Sequence, residues 1–233
     1  MSGVLYGIGL GPGDPELLTL KAARLIRSAA VLAYPASPGA ESFARAIAAD
    51  QIAEGAVELR IEVPMQVDRG PAQAAYDKAA AEIGAALDLG QDVAFLCEGD
   101  PLFYGSFMYV LARLAADHRV EVVPGITSVS AAAAALGRPL VARNASLSVL
   151  PGPLEDAALR AAITAAGAVA ILKVGRHMAR LKALVSGMGL AERAFYVERA
   201  TLPEGRAMPL AEAPDEAPYF SMILILKGDD PWL

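Results

Sequence analysis

The sequence predicts an α/β protein of two domains, the first built on a parallel, doubly wound sheet. Three observations support this. Up to about residue 136, short apolar runs of strand length alternate with stretches whose apolar residues recur at helical spacing. Three loops rich in glycine and proline stand at the ends of predicted strands, where strands of an open α/β sheet present their ligands. Beyond Gly137 the texture changes to an irregular basic connector, Arg138–Asn144, followed by a second set of strands and helices. The boundary falls near Pro124, giving domains at 1–124 and 125–233.

The elements follow in order. Leu5–Leu10 reads as the first strand and runs into Gly11-Pro12-Gly13-Asp14-Pro15. Asp14 suits a helix N-cap, Pro15 the first helical position, and Glu16 the positive end of a helix. Leu18, Ala22, Leu25 and Ile26 then form one apolar face. Ala30–Tyr34 is the second strand, Phe43–Ala49 a short helix and Val57–Val63 the third strand. The Ala-rich stretch Ala72–Leu89 predicts a long helix stopped at Gly90. Val93–Leu96 reads as a fully buried strand that turns at Glu98-Gly99-Asp100-Pro101. A helix is expected next, because Phe103, Phe107, Val110, Leu111 and Leu114 share a face. Val120–Val123 leads to Pro124-Gly125-Ile126-Thr127-Ser128, where Thr127 or Ser128 can cap a helix over Val129–Leu136. In the second half, strands are expected at Ser146–Leu150, Val169–Val174, Ala194–Val197 and Tyr219–Leu226. Helices are expected at Glu155–Ala166 and Met178–Met188. Leu202–Pro218 reads as a long loop, of a length that is usually functional or mobile.

Composition narrows the function. The 233 residues are 55% hydrophobic with a net charge of −6, which argues against a broad nucleic-acid footprint. The single cysteine, Cys97, excludes an internal disulfide and reads as a packing residue at a strand end. With only His118 and His177 beside it, no protein-held metal is expected. No apolar run approaches the roughly 20 residues that span a bilayer, so no membrane partner is expected. The start shows neither a basic region nor a cleavage site, which predicts a cytoplasmic location.

The glycine loops do not make a dinucleotide site. After Gly7-x-Gly9 the third glycine position is Pro12, and after Gly9-x-Gly11 it is Asp14. The second strand ends in Pro35-Ala36-Ser37 rather than in an acid that would hold a ribose. A phosphate loop of the form GxxxxGK[ST] is absent. Taken alone, Glu98–Pro101 also fits an ordinary strand-to-helix turn with an acidic cap.

Together, GLGPGDP (Gly9–Pro15), EGDPLFYGSF (Glu98–Phe107) and PGITS (Pro124–Ser128) resemble the tetrapyrrole methylase family. LKVGR (Leu172–Arg176), ERATLPEG (Glu198–Gly205) and YFSMILI (Tyr219–Ile225) extend the resemblance over the whole chain, and match the branch acting at C20 of precorrin-2. The resemblance implies an N-terminal parallel sheet and a C-terminal mixed sheet, with S-adenosyl-L-methionine (SAM) in a cleft between the domains of a homodimer. S-adenosyl-L-homocysteine is the implied product. The implied SAM contacts are Pro12, Glu98, Gly99, Asp100, Phe103, Thr127, Ser128, Val174 and Ala200. Glu98 stands where the wider family often has glycine, and Val174 where it often has methionine. Methyl transfer from sulfonium to carbon needs little acid–base help, but the C20 proton must then leave, and Glu98 and Tyr104 lie on the right loop to assist. The substrate is a macrocycle bearing many carboxylates, for which Arg138, Arg143, Arg176 and Arg199 are the candidate partners, with Lys173 and His177 similarly placed beyond strand ends. Each also fits solvated surface charge. The metal-free and cobalt-containing forms of the substrate are both open. A 2′-O-methyltransferase acting on ribosomal RNA is a competing reading, disfavoured by the net charge, and a carrier that binds SAM without turnover is another, disfavoured by the presence of all three loops.

Overall fold

In the computed structural model, which describes residues 2–64, 66 and 68–228, the chain divides into two units between Thr127 and Ser128. The first unit runs β1 (Val4–Gly9), α1 (Leu20–Ser28), β2 (Val31–Ala36), α2 (Phe43–Ala48), β3 (Val57–Glu62), α3 (Gly70–Asp88), β4 (Val93–Cys97), α4 (Phe107–Leu114) and β5 (Arg119–Val123). All five strands are parallel, in the order β3-β2-β4-β1-β5.

Strand β4 is buried along its whole length because helices cover both faces of the sheet. Val93, Phe95 and Cys97 pack with Tyr76, Ile83 and Leu87 of α3 and with Phe107 and Val110 of α4. Ala94 and Leu96 point the other way, onto Ala22, Leu25 and Ile26 of α1 and Ala44 and Ile47 of α2. The connection leaving β1 goes to one side and the connection leaving β4 to the other, on opposite faces. The two neighbouring strands therefore flank a topological switch point, where open α/β sheets bind ligands.

Local signals set the helix ends. The Asp14 carboxylate accepts from the Glu16 N–H at 2.8 Å and caps a short 3-10 turn over Pro15–Leu17. Thr19 then caps α1, accepting from Ala22 at 3.1 Å, so the helix proper begins at Leu20. Gly90 closes α3 as expected, with its N–H on the Leu87 carbonyl. One boundary differs from expectation. The helix after β4 begins at Phe107, not Phe103, because Asp100 accepts from the Leu102 N–H at 2.9 Å and holds the intervening residues in a turn. Phe107 is in the core against Phe95, whereas Phe103 is exposed. Their shared spacing does not mark a shared face.

The second unit contains α5 (Ser128–Leu136), β6 (Leu147–Pro151), α6 (Asp156–Ala165), β7 (Ala168–Leu172), α7 (Met178–Gly187), β8 (Ala194–Glu198), β9 (Arg206–Pro209) and β10 (Ser221–Leu226). Its sheet is mixed, in the order β6-β7-β10-β8-β9, with β6 and β7 parallel and the other neighbours antiparallel. Val169, Ile171, Tyr196, Ile223 and Ile225 face α6 and α7, while Ala170, Leu172, Val197, Met222 and Leu224 face α5. Strand β9 lies inside the stretch expected to be loop. It is a four-residue edge strand, largely exposed and ended by proline, so it carries no apolar run. Among the described residues no helix is long and apolar enough to cross a membrane.

Candidate functional site

Because β1, β4 and β5 are adjacent and parallel, their carboxyl ends deliver Gly9–Asp14, Glu98–Tyr104 and Pro124–Thr127 to one edge of the first sheet. The loops are tied by their backbones. Gly99 N–H donates to the Gly11 carbonyl at 2.7 Å and Gly11 N–H to the Gly99 carbonyl at 3.2 Å. Asp100 joins the third loop, its Oδ2 accepting from Gly125 N–H at 3.0 Å while Oδ1 holds Leu102. A side chain does not fit at this junction. A Cβ on Gly9 would sit 2.5 Å from the Gly125 nitrogen, and one on Gly125 would overlap the Gly99 carbonyl oxygen. Gly99 itself has a φ of +65°, and the space where its Cβ would stand is open. Its backbone is therefore accessible to a ligand.

The side chains around this junction differ in character. Pro12, Glu98, Gly99, Asp100 and Thr127 are partly buried, and Phe103 and Tyr104 are exposed, ring edge against ring face at 5.3 Å. Tyr104 is held at a φ of +57°, a conformation that non-glycine residues seldom adopt. Burial pushes the Glu98 carboxyl above its usual range, opposed by hydrogen bonding to its own backbone and to that of Ala44 in α2. Burial likewise raises the Cys97 thiol, whose sulfur lies 3.7 Å from the Ser106 hydroxyl. A thiol so placed is a packing group rather than a nucleophile.

In the second unit β10 is antiparallel to both β7 and β8, so the ends of β7 and β8 emerge at the same edge, with the start of β10 between them. That edge carries Val174 and Ala200. The Val174 side chain is fully buried among α7 residues, and its carbonyl accepts from His177 N–H at 2.6 Å. What Val174 offers a ligand is backbone. Ala200 is partly buried and Ser128 begins α5.

The four candidate arginines are not equivalent. Arg138 lies over the Phe195 ring, 4.6 Å from its centroid. Arg199, at a φ of +48°, flanks Ala200 and stands 3.9 Å from Glu204. Arg143 and Arg176 are exposed. Burial, then Arg176 and Arg180, lower the His177 imidazole. Among the described residues no group of three or more His, Cys, Asp or Glu could hold a metal ion. Tyr219 and Phe220, expected inside the last strand, instead form an exposed pair that precedes β10 at this edge.

Known proteins resemble this chain along its length. It is 42% identical over 97% of its residues to cobalamin biosynthesis protein CobIJ of Mycobacterium tuberculosis, spanning about half (46%) of that relative. It is 41% identical to a precorrin-2 C(20)-methyltransferase of Sinorhizobium sp, covering 97% of both chains. The identity to a cobalt-precorrin-2 C(20)-methyltransferase of Salmonella typhimurium is 34%, over 97% of this chain and 98% of that one. Among solved structures, the uroporphyrin-III C-methyl transferase from Thermus thermophilus complexed with S-adenyl homocysteine superposes with a TM-score of 0.68 at 26% identity, covering 97% of this chain and 98% of that one. Residues 4–214 match the Tetrapyrrole (Corrin/Porphyrin) Methylases, and with this match and these identities the chain belongs to the tetrapyrrole methylase family.

Proposed function

We propose that the protein is a SAM-dependent methyltransferase that adds a methyl group to C20 of precorrin-2, giving precorrin-3A for cobalamin biosynthesis, and that it works as a cytoplasmic homodimer. The observation that carries the reading is the close glycine junction of three loops at the switch point of the parallel sheet, in a chain 41% identical to a precorrin-2 C(20)-methyltransferase.

The donor set fits SAM. Backbone carbonyls and the Asp100 and Glu98 carboxylates can accept from its ammonium and ribose hydroxyls, and the open backbone at Gly99 allows close approach. Pro12, Phe103, Thr127 and Ser128 complete the contacts of the first loops, with backbone at Val174 and Ala200 as the remaining contacts. When bound, SAM supplies an electrophilic methyl group on a sulfonium. The protein's part is positioning, which can lower a barrier by about 7–11 kcal/mol. Arg138, Arg143, Arg176 and Arg199 bind the carboxylates of the ring, and Arg138 on Phe195 is the one held by an aromatic face. Glu98, whose proton affinity is raised by burial, receives the proton that leaves C20, with Tyr104 beside it on the same loop.

The second reading, methylation of the cobalt-containing ring, is favoured by the 34% identity to the Salmonella enzyme, and any metal would belong to the substrate. Turnover with SAM on metal-free precorrin-2 and on cobalt-factor II, followed by mass spectrometry and NMR location of a labelled methyl, separates the two. One methyl at C20 of the metal-free ring is expected. Transfer only to the cobalt ring supports the second reading, and SAM binding without transfer to either overturns the C20 assignment.

A further inference from the structure

The edge of the second sheet holds an aromatic pair outside the methyl-donor contacts proposed above. In register, Met222 of β10 pairs with Leu172 of β7, and Ser221 pairs with Glu198 of β8. Continued outward, the registers place Phe220 opposite Val174 on one side and Arg199 on the other, with Lys173 opposite Ser221. The Arg199 N–H donates to the Phe220 carbonyl at 2.8 Å, which fixes one side of that arrangement. Tyr219 is 65% exposed and Phe220 39%, and their rings meet edge to face at 5.1 Å. Two neighbouring exposed aromatic rings make an apolar patch of the kind that interaction sites use. Lys173 and Arg199 are both held in the left-handed region, at φ of +56° and +48°, immediately after the strands end. Such conformations in non-glycine residues gather at ligand clamps. Here they place one basic residue just past the end of each strand that neighbours β10.

We propose that Tyr219 and Phe220, flanked by Lys173 and Arg199, form a ledge that receives the flat, carboxylate-bearing ring of the substrate. The proposal rests on the tetrapyrrole reading above. Aromatic faces take a planar conjugated ring, and cations at either side take its peripheral carboxylates. Charge complementarity selects this occupant over the methyl donor, which is a net cation with one carboxylate and needs no pair of cations. Val174 and Ala200, next along from Lys173 and Arg199, make the ledge continuous with the methyl-donor contacts proposed above.

The test uses sirohydrochlorin, the air-stable oxidised form of precorrin-2, titrated by fluorescence, and S-adenosyl-L-homocysteine (hereafter homocysteine, always in its adenosylated form), titrated by calorimetry, on the full chain. Asparagine tolerates a left-handed backbone, so Lys173→Asn and Arg199→Asn remove charge without changing the fold. Each is expected to weaken ring binding about tenfold and the pair about a hundredfold, with homocysteine binding within about twofold. Tyr219→Ala with Phe220→Ala is expected to weaken ring binding about tenfold. If that pair does not fold, the asparagine variants decide. Ring affinity unchanged in these variants overturns the ledge while leaving the methyltransferase reading standing. Loss of homocysteine binding in place of ring binding also overturns it, in favour of an adenine platform. A wild-type protein that binds homocysteine but not sirohydrochlorin overturns both the substrate class and the ledge.

Discussion

Glu98 is a carboxyl at the end of a buried strand whose charged form is disfavoured by burial. Its folded-state pKa lies above its unfolded value, so its contribution to stability is present below the unfolded value and lost as pH rises through the folded one. Glu98→Gln therefore leaves thermal stability at about pH 8 unchanged or higher than wild type, with the difference vanishing near about pH 4. If Glu98 takes the C20 proton, the same change lowers kcat about 10²- to 10⁴-fold. Melting curves at the two pH values and steady-state turnover read the two effects separately, and unchanged turnover would exclude Glu98 as the base. Gly125 tests a different demand. Its backbone meets the Gly99 carbonyl so closely that an added methyl must push the loops apart. Gly125→Ala is expected to destabilise the protein by about 1–3 kcal/mol in urea titrations and to weaken homocysteine binding at least about tenfold. A variant with wild-type affinity would mean that the junction does not shape the site.

At the level of elements, the pairing of β8 with β9 is locked by a buried carboxylate. Glu198 accepts from the Tyr196 hydroxyl and, at 2.7 Å, from Arg206 Nε on β9. Burial works to raise the Glu198 carboxyl, but Arg206 and Tyr196 outweigh it and hold the group below its usual range. Stability from Glu198 is thus present above its unfolded pKa and lost as pH falls through the folded one. Tyr196→Phe is expected to cost about 1–3 kcal/mol at neutral pH, with the penalty shrinking toward acid. A loss independent of pH would show that the hydroxyl acts only through packing. This lock was not legible in the sequence, because β9 is an edge strand held by one ion pair and its own register rather than by an apolar run. Every other strand of the two sheets was expected from the sequence, and β4 and β7, buried along their whole length, are apolar throughout. The loop glycines were legible too, as a clustered motif. Which of them meet was not, since it depends on the order β4-β1-β5, which places loops about 90 residues apart in the sequence side by side. The start of α4 misled because Phe103 and Phe107 share helical spacing, yet Asp100 claims the Leu102 N–H and turns the chain first.

The proposed substrate sets an electrostatic conflict for the whole molecule: a chain with 20 basic and 26 acidic residues would bind a polyanion. At physiological ionic strength the Debye length is about 8 Å, so charges farther away are largely screened and the nearest side chains decide the sign of the interaction. If the arginines and Lys173 contact the ring, added salt weakens their pairs, and sirohydrochlorin affinity falls about tenfold or more between about 0.05 and 0.5 M NaCl. Homocysteine affinity changes by less than about twofold, because that ligand is a zwitterion. If instead the overall charge of −6 dominates, salt relieves a repulsion and ring affinity rises. Titrating both ligands across the same salt series therefore tests the substrate contacts as a set, without a mutation, and a rising ring affinity would remove the basic side chains from the substrate site.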